Sequence, residues 1–172
     1  MTTPTARPAG PAAPDGIAGA SVTRTVDAPA RLVFAALTDA RNHGRWVPQT
    51  RVRTDGAPTV GTRVEAVSGP LARFGAPGLV DRMRITAYDP PTGDDPHAAP
   101  GVAVFRKDGP VLLGTATIVV EPLGGGRCRA TFREHVTLAG PLPGALTSRL
   151  TAPGFDVMLR VVLRRAAREL EG

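Results

Sequence analysis

The chain has 172 residues, a formal net charge of +6, 42% hydrophobic residues and only 4% aromatic ones. That length and apolar content suit one domain with a substantial core. The arginines run from Arg7 to Arg168 without aromatic interleaving, which argues against a nucleic-acid surface, and no run approaches the ~20 apolar residues of a membrane span.

Residues 1–19 are rich in proline, alanine and glycine and are expected to form a disordered leader, leaving residues 20–172 as the folded domain. A first strand begins near Ala20, where β-branched residues favour extension to Val26. Asp27 and Pro29 suit a helix start, and Val33, Phe34 and Leu37 fall at helical spacing in the helix that follows, Ala30 to Thr38. Asp39 then caps a second short helix, Ala40 to His43, which Gly44 is expected to end.

From Arg51 to Leu138 the pattern is one of strands separated by turn residues. Six are expected, roughly 51–55, 62–67, 79–88, 101–107, 111–121 and 127–138, in an antiparallel meander. Alternation along the last strand puts Cys128, Ala130, Phe132, Val136 and Leu138 on one face, and Glu134 falls among them. The same count in 79–88 groups Leu79, Met83, Ile85 and Ala87, with Asp81 on their face. Two carboxylates thus sit on otherwise apolar faces. In 101–107 either face could point inward: one carries Val102, Val104 and Arg106, the other Ala103, Phe105 and Lys107.

The chain ends in an amphipathic helix. Phe155, Leu159, Val162, Ala166 and Leu170 share a face, while Arg160, Arg164 and Arg168 repeat on another. Pro153-Gly154 is expected to kink or split this helix from a preceding turn around 145–150. The arginine face is expected to be solvated, and a membrane surface is not expected as a partner.

The order of one strand, two short helices, six strands and a long helix resembles the helix-grip fold. The stretch VTRTVDAPARLVFAALTDARNHGRWVP, the AYDPP at a strand end, GTATIVVEPLGGGRCRATFREHVTL and the terminal helix are together similar to the SRPBCC (START-like) superfamily, in particular its polyketide cyclase/dehydrase-like branch. The resemblance implies an α+β domain whose curved seven-stranded antiparallel sheet wraps the C-terminal helix. Between them it implies a cavity for a hydrophobic small molecule. Small inward residues such as Ala66, Ala87 and Ala130 would leave room for it.

A carboxyl in an apolar cavity has its charge disfavoured, so Glu134 and Asp81 are candidates to move protons in an aldol cyclisation and dehydration. The alternative for Glu134 is an ion pair with a nearby arginine such as Arg106, or a strand end or bulge that turns it to solvent. In aromatase/cyclases of the resembled family an interior arginine holds a carbonyl or enolate oxygen, and Arg106 is the position to test for that role, its alternative being a surface arginine. The expected ligand-lining set is Trp46, Met83, Phe105, Phe132, Phe155 and Leu159. Trp46 stands either at the cavity mouth or as a packing anchor, whereas Tyr88 alternates with the solvent-facing set and has a structural place at its strand end.

The lone Cys128 provides no disulfide framework, and His43, His97 and His135 lack metal-ligand spacing, so neither metal nor cofactor is expected. The functional expectation is a ligand-binding protein, either a polyketide cyclase/dehydrase-like enzyme or a non-catalytic carrier of an apolar metabolite. It is expected in the cytoplasm as a monomer or homodimer, with the composition of a GC-rich, actinobacterial-type genome.

Overall fold

The computed structural model describes residues 17–172, so the leader expected over residues 1–19 lies mostly outside the described residues. The first strand starts one residue earlier than expected. Strand β1 spans Gly19–Val26, and Gly19 already pairs with His135. Helices α1 (Ala30–Thr38) and α2 (Ala40–Trp46) follow, then strands β2 (Thr50–Thr54), β3 (Arg63–Ser68), β4 (Leu79–Asp89), β5 (Gly101–Pro110), β6 (Leu112–Gly124) and β7 (Arg127–Leu138), and helix α3 (Gly144–Glu171). The seven strands form one antiparallel sheet in the order β1-β7-β6-β5-β4-β3-β2. This is the α+β helix-grip architecture.

Local chemistry accounts for most of these boundaries. The Asp39 carboxylate accepts the Arg41 backbone N–H at the start of α2. The expected stop at Gly44 does not occur, because continuing the helix to Trp46 buries that indole in the core and lets the Val47 N–H close onto the His43 carbonyl at 2.8 Å. Asp27 does not cap α1; its backbone N–H instead donates to Glu171 at the end of α3.

Two bulges in the β4–β5 pairing change its phase. One falls between Ile85 and Ala87, where Thr86 is the extra residue, so that Tyr88 packs against Phe34 with ring centroids 5.3 Å apart rather than following the outer set. The other places Asp108 as an extra residue in β5, which therefore runs on to Pro110 through the expected turn.

Helix α3 is continuous through Pro153 and Gly154, against the expected kink or split. The missing proline N–H removes one helical bond, but both flanks are held. Before the proline, the Thr147 hydroxyl accepts from Leu138 N–H and the Ser148 hydroxyl accepts from Ala18 N–H. After it, Leu159, Val162, Leu163, Ala166 and Ala167 are buried in the core, and α3 lies against β1 and β7. Burying each of the larger side chains is worth about 1.5–3 kcal/mol, enough together to outweigh a proline defect of ~3 kcal/mol.

Gly114 on β6 is required by backbone geometry. Its φ is +131°, and a Cβ there would lie 2.0 Å from the His135 carbonyl oxygen. Gly114→Ala is expected to destabilise the fold by about 2–3 kcal/mol, read as a lowered urea midpoint with an unchanged m-value.

Candidate functional site

A cavity of about 190 Å³ lies between the inner face of the sheet and helices α2 and α3. Its wall is largely apolar, with Val64 and Met83 on one side, Phe105 and Phe132 behind, and Phe155 and Met158 on α3 as the roof. Into this space project three charged side chains from three strands: Asp81 of β4, Lys107 of β5 and Glu134 of β7.

Register explains why they meet. On β6, which separates β5 from β7, Gly114 is the partner of Lys107, and Ala116 is the partner of both Phe105 and Glu134. The small residues of β6 leave room above that strand, so Lys107 and Glu134 meet over it. Lys107 Nζ lies 2.5 Å from Asp81 Oδ2 and 3.7 Å from Glu134 Oε2. It also sits 5.8 Å from the centre of the Phe155 ring and 3.7 Å from Met83 Sδ. Lys107 is 3% exposed and Glu134 5%. Asp81 Oδ1 is buried without a hydrogen-bond partner, and Glu134 Oε2 meets Lys107 only at ion-pair distance, beyond a hydrogen bond.

The cluster's electrostatics follow from burial and proximity. Burial disfavours the Lys107 charge, but the Glu134 and Asp81 carboxylates more than offset it, and the ammonium pKa is raised. Burial is also the leading influence on Glu134 and raises its pKa above the ordinary 4.5; the Lys107 charge opposes this and the Asp81 charge adds to it. One cation thus faces two carboxylates, of which Glu134 holds its proton more tightly than usual.

His43 adds a fourth polar group to the wall. Its Nε2 lies 3.0 Å from the Leu37 carbonyl, which can only accept, so Nε2 carries the proton and Nδ1 is left as an acceptor. Burial, with Lys107 contributing, lowers its pKa despite the bond to Leu37, and the ring is neutral. Burial pushes the Cys128 thiol up to about 11, leaving no thiolate nucleophile there. No group of histidine, cysteine and carboxylate side chains able to hold a metal occurs among the described residues.

The family model described as polyketide cyclase/dehydrase and lipid transport matches residues 18–171. The chain belongs to this family. Its fold is shared with a START superfamily protein from Mycobacterium smegmatis (TM-score 0.59, 14% identity, 87% of this chain and 97% of that one). It is shared also with the di-domain ARO/CYC protein BexL of the BE-7585A biosynthetic pathway (TM-score 0.56, 20% identity, 85% of this chain and 45% of that one). A third similar structure is the Aha1 dimer from Colwellia psychrerythraea (TM-score 0.58, 12% identity, 90% and 97%). None of the curated proteins matches the chain.

Among the residues singled out in this polyketide cyclase-family chain, Asp81, Glu134, Met83, Phe105, Phe132 and Phe155 all line the cavity. Arg106 does not. It lies on the outer face of β5, its side chain 66% exposed and its Nε 3.4 Å from Asp108 Oδ1. The interior cation is its neighbour Lys107, the only lysine among 20 arginines, and that singularity was the one sequence signal marking it. Ala66 faces the cavity as expected, but Ala87 and Ala130 are not among its lining residues. Leu159 is fully buried core, and the α3 residues at the wall are Phe155 and Met158.

Trp46 resolves as the packing anchor and not as a mouth residue. Its indole N–H donates to Glu169 Oε2 at 2.8 Å, and its carbonyl accepts from Arg165 at 3.0 Å, which ties α2 to α3. The indole, followed by Arg45, holds the Glu169 carboxyl below its usual pKa. Trp46→Phe keeps an aromatic ring but loses the bond and part of the buried indole volume. It is expected to cost about 1–2 kcal/mol in chemical denaturation while leaving ligand affinity unchanged.

The raised pKa of Glu134 has a thermodynamic signature. The folded state binds this proton more tightly than the unfolded chain, so the associated stability is complete below about pH 4.5 and is lost as pH rises through the folded pKa. The melting temperature of the wild type relative to Glu134→Gln, which cannot titrate, is therefore expected to fall as pH is raised above 4.5. Paired thermal melts across pH check this.

Proposed function

We propose that the cavity binds a small hydrophobic ketone or polyketone and catalyses aldol ring closure with loss of water. The observation that carries this reading is the convergence of two carboxylates on one lysine inside an apolar cavity, with Asp81 Oδ1 buried there without a hydrogen-bond partner. The family description, and the aromatase/cyclase named among similar structures, support the same class of chemistry.

Ring closure needs a base to take a proton from the carbon next to a carbonyl, a positive charge where the enolate oxygen develops, and an acid for the departing hydroxyl. Asp81 takes the α-proton through Oδ1. Lys107 holds the oxygen on which the electron pair accumulates, and the enolate carbon then forms the new bond to the second carbonyl. The alkoxide produced takes a proton from Lys107, which recovers one from the protonated Asp81 beside it and so leaves Asp81 a carboxylate again. In the elimination Asp81 takes the second α-proton, the hydroxyl leaves as water with the proton that Glu134 supplies, and Glu134 regains that proton from Asp81 by way of Lys107. Burial raises the pKa of Glu134, which favours the protonated form that this delivery needs.

A non-catalytic carrier is the second reading. It rests on the family's description as including lipid transport and on the apolar wall, which needs no proton chemistry to hold a ligand.

A methyl δ-diketone, whose closure yields a conjugated cyclohexenone absorbing in the ultraviolet, is a suitable probe. The wild type is expected to form the enone, with Glu134→Gln and Asp81→Asn each slowing it by roughly a hundredfold or more. A wild-type rate no higher than that of Glu134→Gln overturns the catalytic reading. An intact lipid released from protein purified from its host, and identified by mass spectrometry, establishes the carrier.

A further inference from the structure

The two ends of the sheet differ sharply in chemistry. The β3–β4, β5–β6 and β7–α3 connections all emerge at one end. Here Leu71, Phe74, Val111, Leu142, Leu146 and Leu150 are exposed, with Phe74 78% and Leu150 68% accessible. Residues 69–79, 109–114 and 139–155, which build this end, include no aspartate or glutamate, and their only charged residues are Arg73 and Arg149. The opposite end carries Asp27, Asp55, Asp89, Asp94 and Asp95 in its connections or at their edges.

The cavity reaches this apolar end, where Leu79 both lines it and is 44% exposed. Six exposed apolar side chains from three segments at one end, without a carboxylate among them, make this end a candidate interaction surface. The arginines determine what covers it. Arg73 lies over the Phe74 ring at 5.4 Å, so the cation and the most exposed apolar side chain project together, the arrangement in which an arginine's charged head stays among polar headgroups while its stem and neighbours enter hydrocarbon. A second copy of this chain would set Arg73 and Arg149 against like charges with no carboxylate in the patch to meet them.

We propose that this end of the molecule docks on a bilayer containing anionic phospholipid, with Phe74, Leu71 and Leu150 entering the headgroup–acyl boundary and Arg73 and Arg149 meeting phosphates. Docking there opens the cavity mouth toward the lipid phase and turns the acidic end to solvent. It differs from the sequence-based expectation of no membrane partner because the rim comes together only when three separate connections fold to one end. The proposal rests on the rim alone and stands whether the cavity catalyses or carries.

The test is sedimentation of the full chain with phosphatidylcholine vesicles, with and without about one-third phosphatidylglycerol. The wild type is expected to sediment with the anionic vesicles. A Phe74→Ser/Leu150→Ser double variant is expected to bind at least roughly tenfold more weakly, and Arg73→Glu/Arg149→Glu to lose the preference for anionic lipid. Val60→Ser, an exposed apolar site at the acidic end, is expected to bind as the wild type does. An unchanged thermal melt shows that the double variant is folded. No binding to anionic vesicles, or equal binding by Phe74→Ser/Leu150→Ser, overturns the proposal, the latter placing contact on the arginine face of α3. A dimer that Leu150→Ser dissociates in size-exclusion chromatography overturns it in favour of a second copy.

Discussion

Lys107 is an ammonium group held almost wholly out of water, and it stays charged only because two carboxylates face it. That requirement couples the site to the fold. Asp81, Lys107 and Glu134 stand on β4, β5 and β7, and any slip in register by one residue would turn one of them to the outer face and strand the others. Buried ion clusters of this kind rarely stabilise a protein more than apolar side chains of similar volume would. Stability therefore gives little reason for charge here, whereas proton transfer and ligand orientation both do.

Helix α3 supplies the matching constraint from the other side. Its first turns are tied to the sheet through Thr147 and Ser148. Its last turns are tied through Glu169, which receives the Trp46 indole, and Glu171, which receives Asp27. The cavity lies under the middle, where Phe155 and Met158 form the roof. Anchoring at both ends lets the helix cross Pro153 without breaking and lets it stand over an incompletely filled space.

The same arrangement gives the molecule a direction. The helix begins at the apolar, arginine-bearing end and finishes near the acidic one. A ligand moving along the cavity would pass from a greasy rim to a charged cluster, a layout that suits an apolar molecule bearing an oxygen function.

Much of this was legible in the residues themselves. Helix periodicity located α1 and the buried stripe of α3, strand alternation put Glu134 and Asp81 on apolar faces, and turn residues marked most connections. These are local properties, set by backbone sterics and by a repeat of about 3.6 or 2 residues. Phase and partnership were not legible in this way. Alternation in β5 could not say whether Arg106 or Lys107 faced inward, because a period of two has no sign until the strand meets its neighbours. The bulges at Thr86 and Asp108 shift that phase through pairing with another strand, and the room above Gly114 and Ala116 that lets Lys107 reach Glu134 exists only between strands. Backbone sterics and residue type set the elements and the character of each side chain. Which of those side chains meet is a property of the folded molecule, because the meetings depend on registers and connections between residues far apart in the chain.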